Sequence, residues 1–201
     1  NDQYEFELKI VPRKRLDNYL ANGNAGVVLW VNPLFFNDAN KTRYSWTNRV
    51  LEDEQSFISR ASDPFIFKDA KSLMQPGFIL GGIRGHMYAG IQDEIDGGLI
   101  KRNDVNQEKQ NIGMLLTDRV NTFLIPYTAM RYYEKTMKLS GKIYYSPKPL
   151  NSYTRNILVN HNAVVFKFLS ETVDELPRNE YWKVLLHQYN LKLATDKKTD
   201  F

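Results

Sequence analysis

The sequence contains no cysteine among its 201 residues, which excludes disulfides, thiolate chemistry and cysteine metal sites. It also has no apolar run near the roughly 20 residues that a membrane helix needs, and no basic-then-apolar signal segment at its start. We therefore expect a chain that is either cytosolic or already processed. With 42% hydrophobic and 25% charged residues, the composition is typical of a soluble globular protein with one sizeable domain or two small lobes.

Catalytic and cofactor motifs are lacking as well. The chain has no GxSxG, no P-loop lysine motif, no HExxH and no dinucleotide glycine fingerprint, so we expect no cofactor. His86, His161 and His187 lie far apart, and none has a metal-ligand partner two to four residues away, which predicts no metal site. The carboxylates at 52–54 could bind a cation or act as an acid/base pair; a solvated charge run is the alternative.

The charge pattern gives no indication of nucleic acid binding. The formal net charge is +4 and the isoelectric point is near 9.1. The basic residues are scattered in pairs that have acidic neighbours, and they form no stripe. We therefore expect a solvated surface and no nucleic acid partner.

Strand and helix patterns alternate along the chain. Tyr4–Val11 alternates apolar and polar residues and predicts a strand, and a short helix follows it. The apolar run Gly26–Val31 is typical of a strand buried on both faces of a parallel sheet. Further strands are predicted near 55–59, 78–83, 120–125, 142–145 and 153–159, with helices near 91–99, 106–119 and 126–139, from 164, and around 182–189. This order predicts the α/β class with mostly parallel strands.

The stretch Gly77–Gly90, GFILGGIRGHMYAG, is the most informative segment. An apolar run stops at Arg84, which has glycines close on both sides, and a helix-like pattern follows. Glycine allows a sharp turn and a close approach to a ligand, and free amides at a helix start favour anions. With the fork of Arg84 beside them, the segment predicts a site for a carboxylate or phosphate. The alternative is an ordinary strand-to-helix turn with an exposed arginine.

Five segments, taken in order, carry a family resemblance. They are VPRKRLDNYLANGNAGVVLWVNP, YSWTNRVLEDEQSFISRASDPF, LGGIRGHMYAG, NIGMLLTDRVNTFLIPYTAMRYY and EYWKVLLHQY. In this order and spacing they resemble the periplasmic solute-binding proteins of the extracellular family 3 type, which are amino-acid-binding-like. The resemblance covers nearly the whole chain.

The resemblance implies a fold and a role. The fold is α/β and two-lobed, a type II periplasmic binding protein or Venus flytrap, with one lobe from 1–52 plus 154–201 and the other from 55–150. Crossovers are expected near 51–55 and 151–155, and a small ligand would be held between the lobes. The implied role is ligand capture for the membrane permease of an ABC importer. The implied location is periplasmic or extracytoplasmic, with the signal peptide outside this chain.

The resemblance also implies site residues, and the departures from it matter. Arg84 and Tyr88 stand where family members contact the ligand, and Gly85 and His86 lie in the same turn. The arginine that clamps a ligand carboxylate has no counterpart in 32–42, and Pro126 and Tyr127 replace an acidic residue that takes a ligand amine. A solute that is more aromatic or less zwitterionic is therefore expected. The aromatic candidates for the pocket wall, with core packing as the alternative, are Trp30, Phe35 and Trp46. Tyr127 is a further candidate ligand contact.

The start of the chain differs from the family pattern too. Family members have a strand and a helix before the segment that matches Tyr4, so about 35 residues of the first lobe are expected to be absent here. A partner chain could supply that surface.

Two other functions use the same fold: a ligand-sensing module of a histidine kinase or diguanylate cyclase, and a dehydratase. Glu52 and His86 are the candidate catalytic groups for the dehydratase.

Overall fold

The computed structural model describes residues 4–192 and divides into two compact units. Within these residues, unit one comprises 4–50 and 154–179, and unit two comprises 51–153 and 180–192. The segment from 180 onward groups with unit two, whereas the lobes expected from the sequence assign it to the first lobe. The ends of that expected lobe, 1–3 and 193–201, lie outside the described residues.

Helices and strands alternate over residues 79–145, whereas four strands follow one another over residues 26–83 with no α-helix between them. In chain order they are α1 Arg13–Ala21, β1 Gly26–Val31, β2 Ser45–Trp46, β3 Leu51–Arg60, β4 Ile79–Ile83, α2 Gln92–Asp96, β5 Lys101–Val105, α3 Glu108–Leu116, β6 Thr122–Pro126, α4 Tyr127–Thr136, β7 Ile143–Tyr145, β8 Ser152–Asn160, α5 Ala163–Glu175 and α6 Glu180–Gln188. Short 3₁₀ helices cover Pro33–Phe36, Ala70–Leu73 and Leu176–Arg178.

In unit one, β8 pairs antiparallel with both β1 and β2. The predicted burial of β1 on both faces of a parallel sheet is wrong. Leu29 is 38% exposed and Trp30 is 42% exposed. The pairing register shifts between Val28 and Val31, where Trp30 has φ 60°. This bulge interrupts the regular ladder and leaves the end of the strand partly in solvent.

The predicted strand over Tyr4–Val11 is also wrong. The segment runs outside every strand of the described chain. Its first rings contact helix α5, with the centroid of Phe168 4.8 Å from Tyr4 and 6.4 Å from Phe6. The alternating pattern is present, but no neighbouring strand pairs with it.

In unit two, β3 pairs antiparallel with β6 and β7, while β4 pairs parallel with β5 and β6. The sheet is therefore mixed and not mostly parallel. Strand β5, KRNDV, was not predicted, because its polar residues show no apolar pattern.

Both faces of this sheet are buried, which explains its apolar runs. Neighbouring residues of β3 point into different clusters, so that Phe57 packs with Leu80 and Leu124 while Ile58 packs with Phe123 and Ile125. The second cluster includes residues of α3 and α4. This two-sided core fixes the position of β4, the strand that leads into the glycine-rich turn.

A glycine pair tests how tightly β4 is packed. A Cβ at Gly81 would lie 2.7 Å from Asn111 Oδ1 and 2.8 Å from the Cβ of Phe123, whereas a Cβ at Gly113 on α3 meets nothing within 4 Å. We expect Gly81→Ala to lower the free energy of unfolding by about 1–3 kcal/mol. The control Gly113→Ala should raise it by about 0.4–1 kcal/mol. Urea denaturation measures both, and equal effects would contradict this description of β4.

Candidate functional site

The turn after β4 lies at the carboxyl end of two parallel strands. Ile83 is opposite Val105 in the ladder, and the N–H of Arg84 donates to the Val105 carbonyl at 2.9 Å. Gly85 has φ +79°, which side-chain-bearing residues rarely adopt. Arg84, Gly85 and His86 are all exposed. The guanidinium of Arg84 is thus presented where α/β proteins collect their ligands.

Tyr88 lies beneath this turn and not on its surface. Its ring is buried, and its hydroxyl accepts a hydrogen bond from the Ile83 N–H at 3.1 Å. Its own N–H donates to the Gln92 side chain at 2.9 Å. Burial raises the pKa of its hydroxyl above the ordinary value. These contacts give Tyr88 a supporting role, and the predicted contact of Tyr88 with a ligand stays a prediction.

Arg102 and Asp104 on β5 brace the same turn. Arg102 donates to the His86 carbonyl at 3.2 Å and to Asp104 Oδ2 at 2.6 Å, and its guanidinium lies 5.5 Å from the ring centroid of Tyr88. A Cβ at Gly82 would lie 2.4 Å from Asp104 Oδ1. The pair therefore occupies the space that the missing side chain leaves. The sequence analysis missed both residues, because only the pairing of β5 with β4 brings them beside Gly82.

The helix after the turn is shorter than predicted. Helix α2 begins only at Gln92, has 5 residues, and carries Asp93 and Glu94 in its first turn. Leu99, at the end of the helix predicted near 91–99, lies beyond α2 and is exposed. The expected helix start next to Arg84 is therefore wrong, because α2 begins only at Gln92 and its first turn is acidic, which disfavours an anion. The predicted binding of an anion at the turn itself stays a prediction. The positive charge at the turn comes from side chains.

Tyr127 is the first residue of α4. The next residue, Thr128, already donates its backbone N–H to an acceptor within the protein. The buried Asp53 carboxylate accepts from the Thr128 N–H at 3.1 Å and from its hydroxyl at 2.9 Å. The hydroxyl of Tyr127 accepts from Asn190 Nδ2 at 3.1 Å. Of the carboxylates at 52–54, Asp53 thus caps a helix and is not a solvated charge.

In unit one, Trp46 is a core residue held by Asp38. Its indole N–H donates to Asp38 Oδ2 at 2.7 Å, and its ring packs with Phe36 and Tyr44. Asp38 also accepts from the backbone N–H groups of 42–44. Burial raises the pKa of Asp38, but the hydrogen bonds from Trp46 and these amides outweigh it, so the pKa lies below its usual 3.8.

Phe35 and Trp30 are partly exposed. Phe35 borders an open cavity of about 290 Å³ that is also lined by Arg13 and Arg43. Arg13 donates to the Phe35 carbonyl and pairs with Asp17 at 2.7 Å. The Trp30 carbonyl accepts from Arg155 at 2.8 Å. The sequence analysis did not assign Arg13 to a site, because 22 residues separate it from Phe35.

Residues 4–192 offer neither a metal-binding cluster nor a helix that could span a membrane. These residues contain no group of three or more histidine or acidic side chains that could hold a metal ion. In the same part of the chain, no helix combines the length and the apolarity that crossing a membrane requires.

The Asp38 contacts predict a pH-dependent stability. The carboxylate is charged and hydrogen bonded in the folded state, so its contribution is present above pH 3.8 and is lost as the pH falls through the lower folded pKa. We expect Asp38→Asn to lower the free energy of unfolding at pH 7 by about 1–3 kcal/mol. The gap to the unsubstituted protein should narrow on acidification, as measured by urea denaturation from pH 7 to 3. A gap independent of pH would contradict the assignment.

No protein-family model and no curated protein matches the sequence. Many solved structures match the fold. The GluR0 ligand-binding core from Nostoc punctiforme, in complex with L-glutamate, is 14% identical with a TM-score of 0.64, over 88% of this chain and 78% of that one. An ancestral arginine-binding protein bound to arginine is 13% identical with a TM-score of 0.68, over 91% and 79%.

A further match is described as the binding component of an ABC transporter from Wolinella succinogenes, complexed with lysine. It is 13% identical with a TM-score of 0.66, over 96% of this chain and 81% of that one. The mixed sheets and helices of this chain follow the same fold as these three proteins. The chain therefore has the α/β fold of the type II periplasmic binding proteins.

Proposed function

We propose that this protein binds a small polar or anionic solute, and that it does so outside the cytoplasm as the capture component of an ABC importer. The observation that carries the proposal is the fold, which matches amino-acid-binding proteins along about nine tenths of the chain. The exposed turn at 84–86 supplies a second support, since it offers a cation at the carboxyl end of parallel strands.

Arg84 is the proposed anchor of the solute. A guanidinium presents a planar fork of donors that fits a carboxylate with two parallel hydrogen bonds. The turn that carries it is held by hydrogen bonds at both ends and by Arg102 from below. A braced turn loses little freedom on binding, which favours affinity.

The chemistry around α4 narrows the class of solute. Pro126 and Tyr127 offer no carboxylate to a ligand amine, and Asp53 already accepts hydrogen bonds from Thr128. An organic acid, or an amino acid recognised mainly through its carboxylate, fits these residues better than a solute recognised through its amine. Phe35 in unit one, together with Arg13 and Arg43, offers aromatic and cationic contacts to the same class of molecule.

Transport is proposed ahead of the sensing and dehydratase alternatives. The three matching structures described above are named for what they bind, and one of them is described as an ABC transporter component. The permease and the periplasmic location are part of the proposal. The proposal also states that the protein binds its solute without converting it into a product.

A thermal-shift screen with a matched variant tests the proposal. The panel contains L-glutamate, L-arginine, L-lysine, organic acids, amines and sugars. A ligand that binds the native state adds about 2.7 kcal/mol to the free energy of unfolding at a concentration of about 100 times its Kd. The melting temperature rises as a result. We expect at least one carboxylate to raise it, and Arg84→Ala to remove that shift.

Arg119→Ala, which removes another exposed arginine of unit two, is the control and should keep the full shift. Retention of the shift by Arg84→Ala would exclude Arg84 as the anchor. A panel in which no compound shifts the melting temperature would contradict solute binding of this class.

A further inference from the structure

An exposed methionine lies in the turn after β4. Met87 is 77% exposed, whereas the other four methionines of the chain are buried or half-buried. Its large apolar neighbours along the chain, Ile83, Tyr88 and Ile91, are buried as well. Met87 is therefore the one large apolar side chain of 83–91 that the core of unit two does not take up.

The backbone on both sides of Met87 is held by hydrogen bonds. The carbonyl before it, that of His86, accepts from Arg102 at 3.2 Å, and the N–H after it, that of Tyr88, donates to the Gln92 side chain at 2.9 Å. A side chain on an anchored backbone leaves less freedom to be lost when a ligand binds. Met87 is thus presented to solvent by a turn that is fixed within unit two.

The same turn carries Arg84. The His86 N–H donates to the Ile83 carbonyl at 2.9 Å, and Gly85 has φ +79°, so residues 83–86 form a type II β-turn. Arg84 forms no ion pair with a carboxylate of residues 4–192. Three residues of chain span at most about 11 Å. One small molecule can therefore contact both the guanidinium of Arg84 and the thioether of Met87.

We propose that Met87 determines specificity at the solute site: it contacts the apolar part of an acid whose carboxylate binds Arg84. The inference rests on the proposed function and narrows its solute to carboxylic acids that carry an alkyl or aryl group. A guanidinium alone binds such acids through the group that they all share. The unbranched, polarisable thioether adapts to alkyl chains and ring edges, so it adds the discrimination between them.

A series of acids that differ only in chain length tests the inference. The full chain, with ¹³C in its methionine methyl groups, is titrated with acetate, butyrate and hexanoate and followed by NMR. We expect the affinity to rise by up to about fourfold for each added methylene that the protein buries. We also expect hexanoate to shift one of the five methionine methyl signals, the one that is missing from the spectrum of Met87→Gln.

Three variants separate the contributions of the two side chains. Met87→Gln should weaken hexanoate binding about tenfold and leave acetate binding unchanged, because an alkyl chain would strip water from the glutamine amide. Arg84→Ala should weaken all three acids by the same factor. The control Leu99→Gln changes another exposed apolar residue of unit two. Leu99 precedes β5, at the opposite end of the parallel ladder from the turn, so this variant should keep the dependence on chain length.

The outcomes distinguish this inference from the proposed function. Equal affinities for the three acids, in a protein whose binding requires Arg84, overturn the role of Met87 and leave the proposed function in place. So does a dependence on chain length that Met87→Gln retains, and so does a hexanoate complex in which the Met87 methyl signal does not move. A protein that binds none of the three acids contradicts the proposed class of solute together with this inference.

Discussion

The absence of two side chains, at Gly81 and Gly82, constrains how unit two is built. On one face of β4, Asn111 and Phe123 fill the space that a Cβ at Gly81 would need. On the other face, the Arg102–Asp104 ion pair fills the space at Gly82. Because Arg102 also donates to the His86 carbonyl, the side chain that packs against Gly82 also holds the turn in place. The position of Arg84 therefore depends on groups that never need to touch a solute.

In this arrangement, the residues that support the turn differ from those that we propose bind the solute. Tyr88 and Arg102 hold the turn from within unit two, while the residues at 84–86, which we propose lie at the ligand site, are exposed. The charge offered to an anion is a side-chain charge, since the short α2 begins later and is acidic at its start. The proposed site depends on the guanidinium of Arg84, and arginine favours carboxylates over neutral solutes.

Much of the fold could be predicted from residues alone, because apolar periodicity reports burial. Strand β6 and the apolar part of β3 follow from such runs, and the turn at Arg84 follows from its glycines. Strand β5 could not be predicted, since its residues are polar and its place is set by pairing with β4. The strand prediction for Tyr4–Val11 was wrong for the opposite reason. Its residue pattern is that of a strand, but a strand also needs a neighbouring strand to pair with. The roles of Arg102 and Asp38 depend on contacts that a linear pattern does not show.

An amide-resolved NMR titration tests the central claim most directly. The protein is labelled with ¹⁵N and titrated with L-glutamate, L-arginine, L-lysine and an aromatic carboxylic acid. The account predicts that at least one of these shifts the amide signals of Gly85, His86 and their neighbours in 84–88 in a saturable way. Saturable binding that leaves 84–88 unmoved, or no binding by any of the four, would contradict it.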